Sequence, residues 1–287
     1  MAQYQPPFTV SNKILALVTN ISEAVGRLSV NFVNEEEHQL RLRKINQMRT
    51  IQGSLAIEGN TLTVAQITSI LDGKRIIAPP KEVQEAQNAI NTYKALLKWQ
   101  PSSEPDLLNA HKKLMFGLMP DAGMWRSDGV GVMQGDKVVH MAPPEHLVPK
   151  LMADLLNWLA KTDYSPLIAS CIFHYEFEFI HPFADGNGRL GRLWQTLILS
   201  KWREIFINIP VESIVYQHQS DYYQAINQST KQTDCTPFVE FMLQMIWNAI
   251  TEVTNDGINE GTSKGINTGT RLSVLDKKII ELLKLDN

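Results

Sequence analysis

Two cysteines, Cys171 and Cys235, are all that the chain contains, and neither stands in a CxxC pattern. That scarcity excludes a disulfide framework and a paired-thiol metal or redox motif, and makes a reducing compartment the natural expectation. No stretch approaches 18 consecutive apolar residues, and the opening MAQYQPPFTV has no basic region followed by an apolar one. A membrane span and a signal peptide are therefore not expected, and the reading is a cytoplasmic protein. An excess of either charge is missing too. Lys plus Arg number 27 against 30 Asp plus Glu, a net of −3, which argues against a globally basic nucleic-acid binder and leaves only a local basic cleft. Internal repeats and heptads are absent. With 16 Gly, 14 Pro and 44% hydrophobic residues, collagen-like and wholly disordered chains are excluded as well. The 287 residues suffice for one large domain or two modest ones that bury about three quarters of their surface.

Helical periodicity dominates what is present. Val10, Ile14, Leu17, Ile21, Val25, Leu28 and Phe32 recur at steps of three or four, which marks one face of an opening helix. A second pattern over 36–57 carries Leu42, Ile45, Met48 and Leu55 and stops at Gly59-Asn60, where a left-handed cap is cheap. Thr63 caps a short helix ending at Gly73, and a longer helix with Val83, Ala86, Ile90, Tyr93 and Leu97 follows Pro79-Pro80. PSSEPD at 101–106 reads as a boundary. A helix then starts near Pro105, and GVGVMQGDKVVHMAPP, residues 129–144, reads as a hairpin around a Gly-Asp turn. Further helices are expected over 147–159, 166–178, 189–203, 219–230 and 237–251. Residues 252–270 are rich in Gly, Asn and Thr and read as a linker, followed by an amphipathic helix over 271–284. The expected fold class is all-α with one hairpin. The expected divisions are a helical region 1–103, a core 104–251, a linker 252–270 and a C-terminal helix 271–287.

Chemistry concentrates in His181-Pro182-Phe183-Ala184-Asp185-Gly186-Asn187-Gly188-Arg189-Leu190-Gly191-Arg192. Gly186 and Gly188 let the main chain turn tightly and expose its N–H groups, and the helix starting near Gly188 adds unpaired N–H groups and its positive dipole end. Such a turn suits phosphate. Arg189 and Arg192, three apart, share a helical face and can reach two phosphoryl groups. Asp185 can hold Mg²⁺ against the same phosphates, and a neutral His181 can take a proton from a hydroxyl.

Those residues match every specified position of HxFx(D/E)GN(G/K)RxxR, and on them the chain resembles the Fic-domain proteins, mostly adenylyltransferases that move AMP from ATP to a protein hydroxyl. The resemblance covers about 104–251 and implies a helical Fic core with a hairpin flap that aligns the target by strand addition. By the same resemblance His181 is the general base and Asp185 the metal carboxylate. Gly186, Asn187 and Gly188 form the anion hole, Arg189 and Arg192 contact the outer phosphates, and Phe183 anchors the loop. Upstream, Ser54-Leu55-Ala56-Ile57-Glu58-Gly59-Asn60 is similar to the (S/T)xxxE(G/N) inhibitory motif of members whose N-terminal helix blocks the site. Glu58 is then the group to pair with Arg192 and deny it to the γ-phosphate. The implied ligands are ATP and Mg²⁺, and the implied partner is a protein bearing a Ser, Thr or Tyr hydroxyl, a second copy of the chain included. Self-association stays open.

Two other functions remain in view. One is removal of AMP from a modified protein, with Glu58 orienting water. The other is nucleotide sensing by a DNA-binding regulator, since the helix 271–284 resembles the start of a winged-helix domain, though there is no room for a recognition helix and wing. Remaining candidates are weaker. HxxxExxH from His174 through Glu178 to His181 is not a zincin spacing. His111 reads as a hydrogen-bonded structural histidine, and Trp194 and Trp202 read as core. Tyr222 or Tyr223 can place a ring near adenine, with Tyr223 the choice. Arg41, Arg43, Lys44 and Arg49 read as a solvated helix face.

Overall fold

The structure, a computed structural model, describes residues 4–31, 37–134 and 137–262. Eleven α-helices are seen among them. They are α1 (Asn12–Asn31), α2 (Glu37–Ile57), α3 (Val64–Leu71), α4 (Pro80–Ala95), α5 (Glu104–Leu114), α6 (Val148–Lys161), α7 (Pro166–Ile180), α8 (Asn187–Trp202), α9 (Val211–Gln217), α10 (Gln219–Gln232) and α11 (Thr236–Thr262). Two short strands, β1 (Gly131–Gln134) and β2 (Lys137–Met141), pair antiparallel between α5 and α6. Their register runs from Gly131 opposite Met141 to Gln134 opposite Lys137, with an irregularity between Val132 and Met133. The Gly-Asp turn expected between them lies outside the described residues, as do Phe32 and the helix expected over 271–284. No helix of the described residues is long and apolar enough to cross a membrane.

The centre of the molecule is the pair α7 and α8, which pack along one another. Leu167, Cys171, Phe173 and Phe177 of α7 and Leu190, Leu193, Trp194 and Leu197 of α8 are wholly buried. Burying each large apolar side chain contributes about 1.5–3 kcal/mol, so this pair is the firmest platform available for the turn that joins it. Around it, α1 lays Ile14, Ile21 and Val25 against α11. Trp194 of α8 stacks on Trp99 at 6.2 Å and donates from Nε1 to the Pro101 carbonyl at 2.8 Å. The segment read as a boundary is thereby fastened to α8, and a single apolar core extends from Ile14 to Ile250.

Several expectations need correction. Helix α11 runs to Thr262, into the stretch read as a linker. Arg49 of α2 pairs with Glu252 there, an anchor that the Gly and Asn content of the segment hides. For the same reason the basic run on α2 is no solvated face, because its members are half-buried and Lys44 pairs with Asp72 at 3.0 Å. Val10 precedes α1 and is exposed, and Trp202 is only partly buried against Phe206. Helix α9 was not expected at all. Its seat depends on Gly53 of α2, where a Cβ would lie 2.6 Å from the Ser213 nitrogen and 2.7 Å from the Glu212 carbonyl.

Candidate active site

Helix α7 ends at His181, whose N–H donates to the Phe177 carbonyl at 2.9 Å while its own φ of 49° and ψ of 61° turn the chain left-handed. An L-residue in that region costs about 1–2 kcal/mol. The turn is therefore held from outside. The Phe183 ring is fully buried, stacks on His111 at 3.6 Å and 7°, and lies 5.0 Å from Trp125. Asn187 closes the loop from the other end, its Oδ1 accepting the Phe183 N–H at 2.9 Å and its Nδ2 donating to the Phe183 carbonyl at 2.8 Å. Its Oδ1 and one Nδ2 hydrogen are thus spent inside the loop.

His111 supplies a third brace. Its Nδ1 accepts the Gly123 N–H at 2.8 Å, which assigns the proton to Nε2 and makes that atom the donor to the Asp185 carbonyl at 2.9 Å. Burial lowers its pKa to about 4 and keeps the ring neutral, as this pattern requires. Gly186, φ +82°, caps the start of α8, and a Cβ there would lie 2.6 Å from the Met115 sulfur. The first helical bond runs from the Leu190 N–H to the Gly186 carbonyl at 3.0 Å. The N–H groups of Asn187, Gly188 and Arg189 precede it and have no partner within the helix.

Two arginines stand over that helix start, each held by a carboxylate from the N-terminal region. Arg192, 2% exposed, donates to Glu58 Oε1 at 2.7 Å and to the Ser54 hydroxyl and carbonyl at 3.2 and 3.0 Å. Burial opposes its charge most strongly, but Glu58, together with Tyr222 and Glu178, holds the guanidinium above its ordinary pKa. A Cβ at Gly188 would collide with Glu58 Oε1, so the carboxylate sits where a side chain would otherwise stand. Arg189 contacts Asp185 Oδ1 at 3.2 Å and Glu85 Oε1 at 3.3 Å. Glu58 is delivered by the end of α2, where the Asn60 N–H returns to the Leu55 carbonyl, the Gly59 N–H returns to Ala56, and Gly59 takes φ +88°. Asn60 fastens this turn to α4 by donating to Glu85 Oε2 at 2.9 Å.

The remaining candidates separate cleanly. Tyr222 is buried in the core beside Phe238, whereas half-buried Tyr223 has its pKa raised by burial and then by the Glu58 charge. His174 points elsewhere, its Nδ1 on Gln195 at 2.7 Å and its Nε2 on the Tyr222 hydroxyl at 3.1 Å. Glu178, with its side chain 11% exposed, has its pKa pushed up to about 8 by burial. Glu85 and Arg126 went unread in the sequence. The only hint was a lone arginine in the otherwise apolar and glycine-rich run Gly123-Met124-Trp125.

The chain aligns over 97% of its length, and over 86% of the other chain, with a Fic family protein from Desulfovibrio desulfuricans G20, at 48% identity and a TM-score of 0.84. The chain belongs to the Fic family. The family model described as Fic/DOC matches residues 101–199, which include α5, both strands, α6, α7 and most of α8. Among the Fic relatives, "Protein adenylyltransferase Fic" of Nematostella vectensis is 30% identical over 204 residues, 67% of this chain and 45% of the relative. "Protein adenylyltransferase fic-1" of Caenorhabditis elegans is 27% identical over 262 residues, 83% of this chain and 49% of the relative. This Fic chain thus spans about half the length of those two relatives.

Proposed function

We propose that the chain is an autoinhibited protein adenylyltransferase that moves AMP from ATP to a Ser, Thr or Tyr hydroxyl of a protein and releases pyrophosphate. The observation that carries the reading is the Arg192–Glu58 pair at 2.7 Å, placed on Gly188 at the start of α8. The names of the relatives support the same chemistry. Withdrawal of Glu58 leaves two buried arginines and a helix N-terminus facing a triphosphate. His181 then takes the proton of the acceptor hydroxyl, the oxygen bonds to the α-phosphorus, and the bond from that phosphorus to the bridging oxygen breaks as pyrophosphate departs. The N–H groups of Asn187, Gly188 and Arg189 stabilise charge that develops on the phosphates. Tyr223 is assigned to the rim near the adenine, and Ser54, Gly59 and Asn60 to holding Glu58.

The loop also suits Mg²⁺. Mg²⁺ is commonly held by one or two carboxylates together with substrate phosphates and water. Asp185 fits that role, because its carboxylate is 61% exposed and both of its protein contacts fall on Oδ1, leaving Oδ2 for an external ligand. When bound, the ion would neutralise phosphate charge.

In this reading residues 1–103 regulate the core 104–251, and the two strands offer an edge on which an extended target segment adds by main-chain hydrogen bonds. Removal of AMP is the second reading, favoured by the partial exposure of Glu58, which leaves a carboxylate beside the phosphate site able to orient water. The test is incubation of wild type and Glu58→Gly with α-labelled ATP and Mg²⁺, followed by intact-mass analysis. Transfer of AMP by Glu58→Gly and little by wild type is the expected result. No labelled protein from either would overturn the assignment, and loss of AMP from a premodified protein would select the hydrolytic direction.

A further inference from the structure

Arg126 lies outside the motif, between α5 and β1, and is 6% exposed. Every hydrogen bond of its guanidinium ends on a main-chain carbonyl. Nε donates to His181 at 2.8 Å, Nη1 to Asp128 at 2.8 Å, and Nη2 to both Pro143 and Ile180, the latter at 3.4 Å. Its own N–H donates to the Pro182 carbonyl at 3.0 Å.

These acceptors fall into two groups. Ile180, His181 and Pro182 form the end of α7 and the start of the catalytic turn. Asp128 and Pro143 flank the two strands, one ahead of β1 and one behind β2, where the Ala142 N–H also returns to the Val130 carbonyl at 3.2 Å. One planar fork thus spans the root of the hairpin and the main chain of the histidine. The bond to the His181 carbonyl falls on a residue in the left-handed region, a conformation that persists only where its surroundings impose it. Lysine cannot substitute. Its three donors radiate from one nitrogen, whereas the guanidinium presents a rigid fork with separated donors.

We infer that Arg126 is a positioning residue that couples the root of the hairpin to the main chain of His181. An extended polypeptide seated along the strands and the imidazole that activates its hydroxyl are thereby kept in one register. Linkage makes the coupling reciprocal, so that whatever shifts the hairpin shifts His181. The inference rests on the proposed roles of His181 and of the strands, but the coupling itself can be read without any catalysis.

The experiment has two arms, each comparing Arg126→Lys and Arg126→Gln with their parent. In the first, amide hydrogen exchange is followed by mass spectrometry over 127–145 and over 181–188. The expected result is faster exchange, on the order of tenfold, in both segments together in both variants, with 190–202 unchanged as a check that α8 is folded. Unchanged exchange, or a change in one segment alone, would overturn the coupling. In the second arm, performed in the Glu58→Gly background, kcat for labelling by α-labelled ATP should fall at least about tenfold in Arg126→Lys while KM for ATP stays within about twofold. Equal kcat would overturn the positioning role. If the Glu58→Gly parent labels nothing, the adenylyltransferase reading fails, and the exchange arm alone decides whether Arg126 couples the two segments.

Discussion

Arg189 and Glu85, far apart in sequence, meet at 3.3 Å, and the other oxygen of the same carboxylate accepts from Asn60 at 2.9 Å. The turn that delivers Glu58 and the arginine that neighbours Asp185 are therefore joined through one side chain on α4.

Replacing Glu85 by Gln keeps the shape and removes the charge, so Arg189 is freed for phosphate and a negative group leaves the anion site. A partly buried pair of this length is worth about 1 kcal/mol, which corresponds to about fivefold tighter binding of a nonhydrolysable ATP analogue by titration calorimetry. Weaker binding would mean that Glu85 instead holds Arg189 in its productive orientation.

Ser54→Ala removes the hydroxyl contact to Arg192 Nε but leaves the Ser54 carbonyl and Glu58 in place. A neutral partner of this kind contributes about 0.5–1.5 kcal/mol, against about 1.5–3 kcal/mol for a charge-assisted one. AMP transfer should accordingly rise by about 2- to 10-fold in Ser54→Ala and about 10- to 150-fold in Glu58→Gly, measured as initial rates of labelling. The reverse order would place the restraint on the serine.

Two helical glycines make a matched pair. Nothing lies within 4 Å of a Cβ at Gly26 of α1, so Gly26→Ala should stabilise by about 0.5–1 kcal/mol. At Gly53 the same methyl strikes the main chain of α9, and the overpacking cost of about 1–3 kcal/mol outweighs the gain in helix propensity. Differential scanning calorimetry should show Tm rising by a few degrees for the first and falling for the second. A higher Tm for Gly53→Ala would mean that α9 moves away freely.

Burial sets the pH dependence of stability from both sides. His111 and His174 have folded pKa values lowered to about 4 and about 3, so the folded state binds fewer protons than the unfolded chain, and stability falls as pH drops from about 6.5 toward 4. Glu178, raised to about 8, binds an extra proton when folded, and its contribution is lost as pH climbs from about 4.5 through 8. Urea unfolding across pH should therefore show a maximum in the weakly acidic range. Glu178→Gln should flatten the alkaline limb alone, and an unchanged limb would assign the loss to other groups.

The turn between α7 and α8 was legible because its residues are contiguous. Glycines, a helix start and two arginines within twelve positions state their chemistry without knowledge of the fold. The end of α2 was legible for the same reason, since Gly59 marks a left-handed cap locally. Arg126, Glu85 and the tautomer of His111 were not, because each acquires meaning from main-chain atoms brought near it by packing. Helix α9 is only seven residues long, and its main chain packs so closely on Gly53 of α2 that no side chain fits there. The start of the extension of α11 is tied by Glu252 to Arg49, which is 203 positions away in the sequence.

Glu58 follows directly on the last residue of α2, and the closing turn of a helix is its softest part, opening and reforming long before the body of the helix does. On the proposed reading the latch is therefore the end of a helix and not a hinged domain. On that reading unlatching would require one winding of backbone to relax while the buried scaffold stays put, so a partner that merely catches Gly59 and Asn60 in their unwound form would act as the key.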